Sequence, residues 1–271
     1  MSETSRTHGR SDADIRPVSI EPGFVSSADG SALIEMGDTR VLVAAPLENK
    51  VPPFLVGANK GWATAEYAML PAATPSRSRR EVTRGKPSGR SSEIQRLIGR
   101  SLRAVLDLKA LAEHTLTLDC DVLQADGGTR TAAITGAYVA AGQALARALL
   151  QGDLVRWPFI GQVGAISVGI VDGVALLDLD APEDQSAEVD MNVVATAAGE
   201  IVEIQGTGEQ RSFRRDEMDR LVDLAFVGIG ELTKHQNAAL APILAALDEA
   251  GDRDHRKPVT PKDEKDLWGR P

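Results

Sequence analysis

Residues 119–136 read D-C-D-V-L-Q-A-D-G-G-T-R-T-A-A-I-T-G, and the rest of the chain is organised outward from them. Just before, residues 115–123 alternate, with Leu116, Leu118, Cys120 and Val122 on one face, which predicts a half-buried strand. Just after, residues 131–150 form an Ala-rich run. Ile134, Ala137, Tyr138, Ala141, Leu145, Ala148 and Leu149 recur there at three- and four-residue spacing, which predicts a helix with an apolar face. Between strand and helix stand Gly127, Gly128, Thr129 and Arg130. A glycine turn feeding a helix start presents free N–H groups that attract an anion. Two glycines let backbone approach a phosphate closely, Thr129 adds a hydroxyl, and Arg130 adds a planar donor fork shaped for phosphate oxygens. The same residues also fit a plain strand–turn–helix corner in which Arg130 pairs with Asp126. A P-loop is excluded, because no Lys-Ser/Thr pair follows the glycines.

A chain of 271 residues is long enough for one large domain or two small ones. No run approaches a membrane span of ~20 apolar residues. Residues 1–15 are polar, without the apolar centre of a signal peptide. A single cysteine, Cys120, excludes an intramolecular disulfide and points to a reducing cytoplasm. One Cys and four scattered His residues argue against a classical zinc site. The formal net charge of −9 argues against blanket nucleic-acid binding. Residues 77–103 run the other way, with nine bases against Glu81 and Glu93, a local charge of +7. A basic stripe on an acidic protein points to a polyanion held at one place.

In chain order, residues 1–14 read as a flexible arm and 16–21 as a short strand. Residues 31–36 and 39–45 read as strands joined by a Gly37-Asp38 hairpin turn. Residues 48–61 read as loop, 62–70 as strand, and 72–91 as an Arg-rich loop. Ser92 with Gln95 forms a capping box and predicts a helix start. Ile94, Leu97, Ile98, Leu102 and Val105 share one face of that helix, and Arg96, Arg100 and Arg103 the other, as a polyanion-facing or a merely solvated row. Arg90 precedes the expected cap, beside Gly89, a second arginine at a glycine-led helix start. Residues 151–158 read as a linker. Strands follow at 162–171 and 174–180 around Asp172-Gly173, a strong hairpin signal. Residues 180–190 read as an acidic loop, with strands at 191–196 and 201–205. Residues 216–234 read as a helix, which 238–250 continue or replace because of Pro242. Residues 251–271 read as a disordered tail. The organisation is then one domain over 15–250 in two strand-and-helix halves, about 15–150 and 159–250.

Clustered carboxylates hold a hard cation or share a proton. Asp184 and Asp190, six apart across the acidic loop, are placed to point at one site, and Mg²⁺ needs only one or two carboxylates besides phosphates and water. A solvated acidic turn accounts for the same pattern. Asp119 and Asp121, opposite Cys120 on their strand, are alternative partners for the arginines.

Several long words then accumulate: Gly61-Trp62-x-Thr64-Ala65-Glu66-Tyr67 ahead of Met69-Leu70-Pro71; Gly85-Lys86-x-x-Gly89-Arg90; Glu93-Ile94-Gln95-Arg96-Leu97-Ile98; Asp119 through Thr131; Asp190-Met191-Asn192-Val193-Val194; and Glu203-Ile204-Gln205-Gly206-Thr207. In this order they resemble the ribonuclease PH family of phosphate-dependent exoribonucleases, from about Gly9 to Leu240. The resemblance implies a mixed α+β ribonuclease PH-type fold in two packed halves, assembled as a homo-hexameric ring, a trimer of dimers. It implies phosphate binding by Arg90, Gly128, Thr129 and Arg130, a catalytic and metal-holding pair in Asp184 and Asp190 with Mg²⁺, and RNA contacts from Arg77 and Arg80, with Arg96 and Arg100 alongside. The implied activity is phosphorolytic removal of 3′-terminal nucleotides from tRNA precursors, with rRNA as a further substrate. Inorganic phosphate is consumed and nucleoside diphosphates are released, reversibly. Ala72, Pro75 and Gln185 depart from the family pattern, where Arg, His and Ser are usual. A catalytically silent RNA-binding ring subunit would lack the phosphate or acidic residues. A phosphatase or kinase of small metabolites would not need the basic stripe.

Overall fold

The computed structural model describes residues 6–251. Two sheets enclose a central helix. Strands β1 (Val18–Pro22), β2 (Ser31–Met36), β3 (Thr39–Ala44), β4 (Leu47–Glu48), β5 (Trp62–Met69) and β6 (Thr115–Gln124) make the first sheet. Helix α1 (Gly89–Ala104) lies between β5 and β6 in the chain and packs on β5. The Gly37-Asp38 turn closes the β2–β3 hairpin as expected. β3 and β4 pair antiparallel with β6 along one edge, and β5 runs parallel to it along the other, with Tyr67 opposite Cys120. The inward row Leu116, Leu118, Cys120 and Val122 is buried as the alternation requires.

Helix α2 (Thr129–Gln151) follows the glycine corner and packs against β2 and β3 on one side and β7 on the other. The second sheet, in order β10–β9–β7–β8, is built from β7 (Val163–Val171), β8 (Val174–Leu177), β9 (Val189–Thr196) and β10 (Ile201–Gly208), all antiparallel. α2 is long and apolar enough to cross a membrane by length and composition alone, but it is buried between the two sheets. Its Ala and Gly content serves that position, because small side chains let helix and sheets approach closely. Helix α4 (Arg215–Glu249) packs on β7, β8 and α2.

Several expectations need correction. α1 begins at Gly89, and its cap is Ser88, whose Oγ accepts from the Ser91 amide at 3.1 Å, rather than Ser92. Arg90 therefore sits in the first helical turn, not ahead of it. The acidic loop contains a short helix, α3 (Ala181–Ser186), started by a reciprocal capping box between Asp180 and Glu183. Residues 215–249 are one helix through Pro242. Pro242 is exposed, and so is Ala238, the residue whose carbonyl the proline ring deprives of an amide donor, so that group faces solvent rather than the core. The stretch expected as a flexible arm is pinned from Arg6 onward. Arg6 bonds Glu183 at 2.7 Å, Arg10 bonds the Asp178 carbonyl at 2.7 Å, and the Leu177 amide donates to the Asp12 carbonyl at 2.8 Å. The expected disordered tail lies outside the described residues, apart from Gly251.

Candidate active site

The glycine corner is held by contacts from three directions. Gly127 and Gly128 both adopt left-handed φ, +75° and +62°. A Cβ on Gly127 would lie 2.5 Å from the Leu179 carbonyl oxygen, so the corner presses against the chain leading into α3. From below, the buried Arg16 pairs with the equally buried Asp178, Nη2 to Oδ1 at 2.7 Å, and its other nitrogen donates to the Asp126 carbonyl. Thr39 Oγ1 donates to the Gly127 carbonyl at 2.6 Å and accepts from the Asp126 amide at 2.9 Å. The β6–α2 corner and the β8–α3 corner are thus one braced unit.

Above it opens a cleft of about 970 Å³. Gly128, Thr129 and Arg130 line it, together with Arg90 from α1, Asp184 from α3 and Asp190 from β9. No side chain caps the start of α2, so its first amides are available to an anion in the cleft. Arg130 does not pair with Asp126. Its Nη1 donates to Gln205 Oε1 at 2.8 Å and lies 3.9 Å from Glu93 Oε1. Asp126 is instead occupied by Arg16, at 3.8 Å, and by the Ala181 amide, at 3.3 Å. The Arg130–Asp126 pairing that a plain corner would use is thus not made.

The carboxylate wall is electrostatically tense. Burial raises the Asp184 pKa, against the pull of Arg90 and Arg130. Asp190 is pushed up to about 6, first by burial and then by the charge of Asp184, with Arg130 and Arg90 opposing. Its Oδ1 is a buried oxygen without a hydrogen-bond partner among the described residues. A buried lone pair left open beside a second carboxylate is a donor set that Asp184 and Asp190 would offer to a hard cation. Two carboxylates are as many as Mg²⁺ ordinarily takes when phosphate and water supply the rest.

The six residues expected at the phosphate and metal positions come from four elements, α1, α2 with its cap, α3 and β9, and the cleft brings all six together. The arginines expected along an RNA path are spread more widely. Arg77 and Arg80 are exposed on the segment leading to α1, beyond the cleft lining. That segment is anchored at its start, where the buried Ala73 carbonyl accepts from the Ala125 amide at 2.8 Å. Arg96 is exposed, Arg100 pairs with Glu203, and Arg103 stacks over Trp62 at 4.4 Å while donating to the Ala63 carbonyl. Arg103 is thus a packing residue, not part of a solvated row. Asp119 and Asp121 form no ion pair among the described residues; Asp119 is raised by burial and by neighbouring Glu66 and Asp121.

Sequence reasoning missed Arg16, Asp178, Glu93 and Tyr67. Tyr67 Oη lies 2.8 Å from Thr129 Oγ1, under the cleft floor. The signal for Tyr67 was present: it falls on the inward row of β5 with Ala63 and Ala65. Arg16 and Asp178, 162 residues apart, offered none.

Residues 14–144 match the sequence profile described as 3′ exoribonuclease family, domain 1, and residues 161–228 match domain 2 of the same family. Among solved structures, rice (Oryza sativa) Rrp46 superposes with a TM-score of 0.70 at 19% identity, over 87% of this chain and 100% of that one. A chain of the Archaeoglobus fulgidus exosome with RNA bound to the active site gives 0.70 at 22% identity, over 86% and 92%. A chain of an archaeal exosome core gives 0.64 at 21% identity, over 85% and 89%. At these identities the likeness establishes the fold, the ribonuclease PH-type α+β arrangement expected from the sequence.

Proposed function

The chain belongs to the 3′ exoribonuclease (RNase PH) family, and from that premise we propose that it shortens RNA from the 3′ end by phosphorolysis. The observation that carries this reading is the cleft itself. Two arginines and an uncapped helix start face two carboxylates, one with an open buried oxygen. A hydrolase has no need of a separate anion cradle; an enzyme that uses phosphate as nucleophile does. An oxygen of inorganic phosphate, held by Arg90, Gly128, Thr129 and Arg130, attacks the last phosphodiester phosphorus. The bond from phosphorus to the 3′ oxygen of the preceding nucleotide breaks, and a nucleoside 5′-diphosphate leaves. Two anions must meet for this, so positive charge fixed in advance is the main requirement.

Asp184 and Asp190 would hold Mg²⁺, which when bound supplies positive charge to the reacting phosphate oxygens. The departing 3′ oxygen needs a proton, which one of these two carboxyls, or a water in the cleft, is placed to give. Because the new bond is a phosphoanhydride, the reaction runs both ways. RNA as the polymer is supported by the basic stripe and by the relative of the same fold that holds RNA in its active site. tRNA 3′ ends, with rRNA as a further substrate, a homo-hexameric ring and a cytoplasmic setting complete the proposal.

The deciding experiment is a 3′-extended tRNA incubated with and without inorganic phosphate, products resolved by charge. Phosphate-dependent release of nucleoside diphosphates is expected. Equal trimming without phosphate, yielding monophosphates, would make water the nucleophile and end this reading.

A further inference from the structure

The strongest unassigned feature is a pair of hydroxyls beneath the cleft. Tyr67, on the inward row of β5, is 4% exposed, and Thr129, the first residue of α2, is 7% exposed. Their oxygens are 2.8 Å apart, and no other hydrogen-bond partner of the Tyr67 hydroxyl occurs among the described residues. Thr129 also lines the cleft, whereas Tyr67 does not.

The two hydroxyls share one contact, so only one of them donates. If Thr129 donated, its single proton would point down at Tyr67 and the phenolic proton would be left buried without an acceptor, which is costly. If Tyr67 donates, both groups are satisfied and the Thr129 proton is turned up into the cleft. A phenol is also the stronger donor and weaker acceptor of the two. Burial raises the Tyr67 pKa despite its contact with Thr129 and the nearby Arg90 and Arg130, so the proton stays on the phenol.

We propose that Tyr67 is a positioning residue: through the buried Tyr67–Thr129 hydroxyl contact it fixes Thr129 as a hydrogen-bond donor toward the anion in the cleft. A free threonine hydroxyl rotates and presents lone pairs to an anion as readily as a proton. This one is held in the productive sense before phosphate arrives, so the ordering is not repeated at each binding event. The inference rests on the phosphate site proposed above and adds a residue that never touches phosphate.

The test compares Tyr67→Phe, Thr129→Val and the double variant. Tyr67→Phe removes one oxygen from a ring that otherwise fits. Two quantities are read: the KM for inorganic phosphate in diphosphate release, and the rise in Tm that added phosphate produces. Tyr67→Phe is expected to raise the phosphate KM about 3- to 10-fold, the worth of one neutral hydrogen bond, and to reduce the phosphate-induced Tm rise. The kcat and the KM for RNA should stay within about 2-fold. The double variant should be no worse than Thr129→Val alone, because Tyr67 acts only through that hydroxyl. An unchanged phosphate KM in Tyr67→Phe, or penalties that multiply in the double variant, overturns the assignment. So does a lower Tm in both buffers with KM and the phosphate-induced rise intact, which would mark a purely structural role. Arg130→Ala separates the two levels. If it raises the phosphate KM while Tyr67→Phe does not, the phosphate site stands and Tyr67 alone is wrong. If neither does, the site itself is wrong.

Discussion

Asp190 shows at the scale of one residue how a site and its stability oppose each other. Its carboxyl is buried, carries an open oxygen, and is pushed up to about 6 by that burial and by the charge of Asp184. A carboxyl whose pKa is higher folded than unfolded binds more protons in the folded state between the two values. Without divalent metal, stability should therefore fall as pH rises from about 4 to about 6 and stay low above that. Asp190→Asn removes the charge and should stabilise the metal-free protein at pH 7, by up to about 2 kcal/mol, with turnover abolished. Urea unfolding at several pH values checks both signs, and a pH-independent stability difference would exclude Asp190 as the source. Arg130 lies on the other wall and is the sharper test of function. Charged hydrogen bonds are worth roughly 1.5–3 kcal/mol, so Arg130→Ala should raise the phosphate KM at least ~10-fold. Its present partners are Gln205 and Glu93, which a phosphate bound as proposed would have to displace.

Among the elements, the decisive one is the shortest α-helix, α3. α3 carries Asp184, yet six residues are too few to be stable alone. Its position depends on the Asp180–Glu183 capping box and on Arg6 and Arg10, which reach across from the start of the chain. Arg10 is almost fully buried among Asp178, Asp180 and Glu183. Arg10→Ala leaves those carboxylates undercompensated and should lower stability by about 3–5 kcal/mol. It should also lower kcat, since Glu183 adjoins Asp184, with the phosphate KM less affected. A chemical-unfolding curve paired with steady-state kinetics checks this, and an effect confined to phosphate KM would contradict it. The same element explains what the sequence withheld. The hairpins at Gly37-Asp38 and Asp172-Gly173, the strand ending at Gln124 and the helix after Gly128 rest on local periodicity and turn chemistry, and they were legible. α3 has a local start signal in Asp180-x-x-Glu183, but its placement, like that of the pinned N-terminal stretch, rests on charge pairs over 160 residues apart, which no local pattern encodes. Ser88, not Ser92, caps α1 because Glu81 bonds Ser91 Oγ at 2.7 Å and the Ser88 amide at 3.2 Å, fixing the earlier start. Within the site, the glycine, threonine, arginine and aspartate positions were legible from residue type and motif. Arg16 and Asp178, which brace them from beneath across 162 residues, were not, whereas the inward row of β5 did mark Tyr67.

Over the whole molecule the charge is divided rather than averaged. The protein is acidic by −9, yet residues 77–103 carry +7, and Arg90 brings that stripe to the edge of the cleft. A polymer that is read along its backbone needs this arrangement, because local positive potential guides the 3′ end while the acidic remainder discourages binding elsewhere. Not all of the stripe is available for that work: Arg100 is paired with Glu203, and Arg103 is stacked on Trp62. Arg77 and Arg80 are exposed and do not line the cleft, on a segment whose base is tied to the glycine corner through Ala73 and Ala125. Each phosphate contact on a single strand contributes about 0.7 to the slope of log affinity against log salt. Replacing both Arg77 and Arg80 by Ala should therefore flatten that slope for single-stranded RNA by about 1.4. It should raise the RNA KM at moderate salt and leave the phosphate KM unchanged, since neither residue lines the cleft. RNA affinity measured across a salt series, beside phosphate kinetics on the same variant, separates path from cradle. A raised phosphate KM with an unaltered salt slope would instead mean that the segment's arginines serve the small anion, and that the RNA path lies elsewhere on the surface.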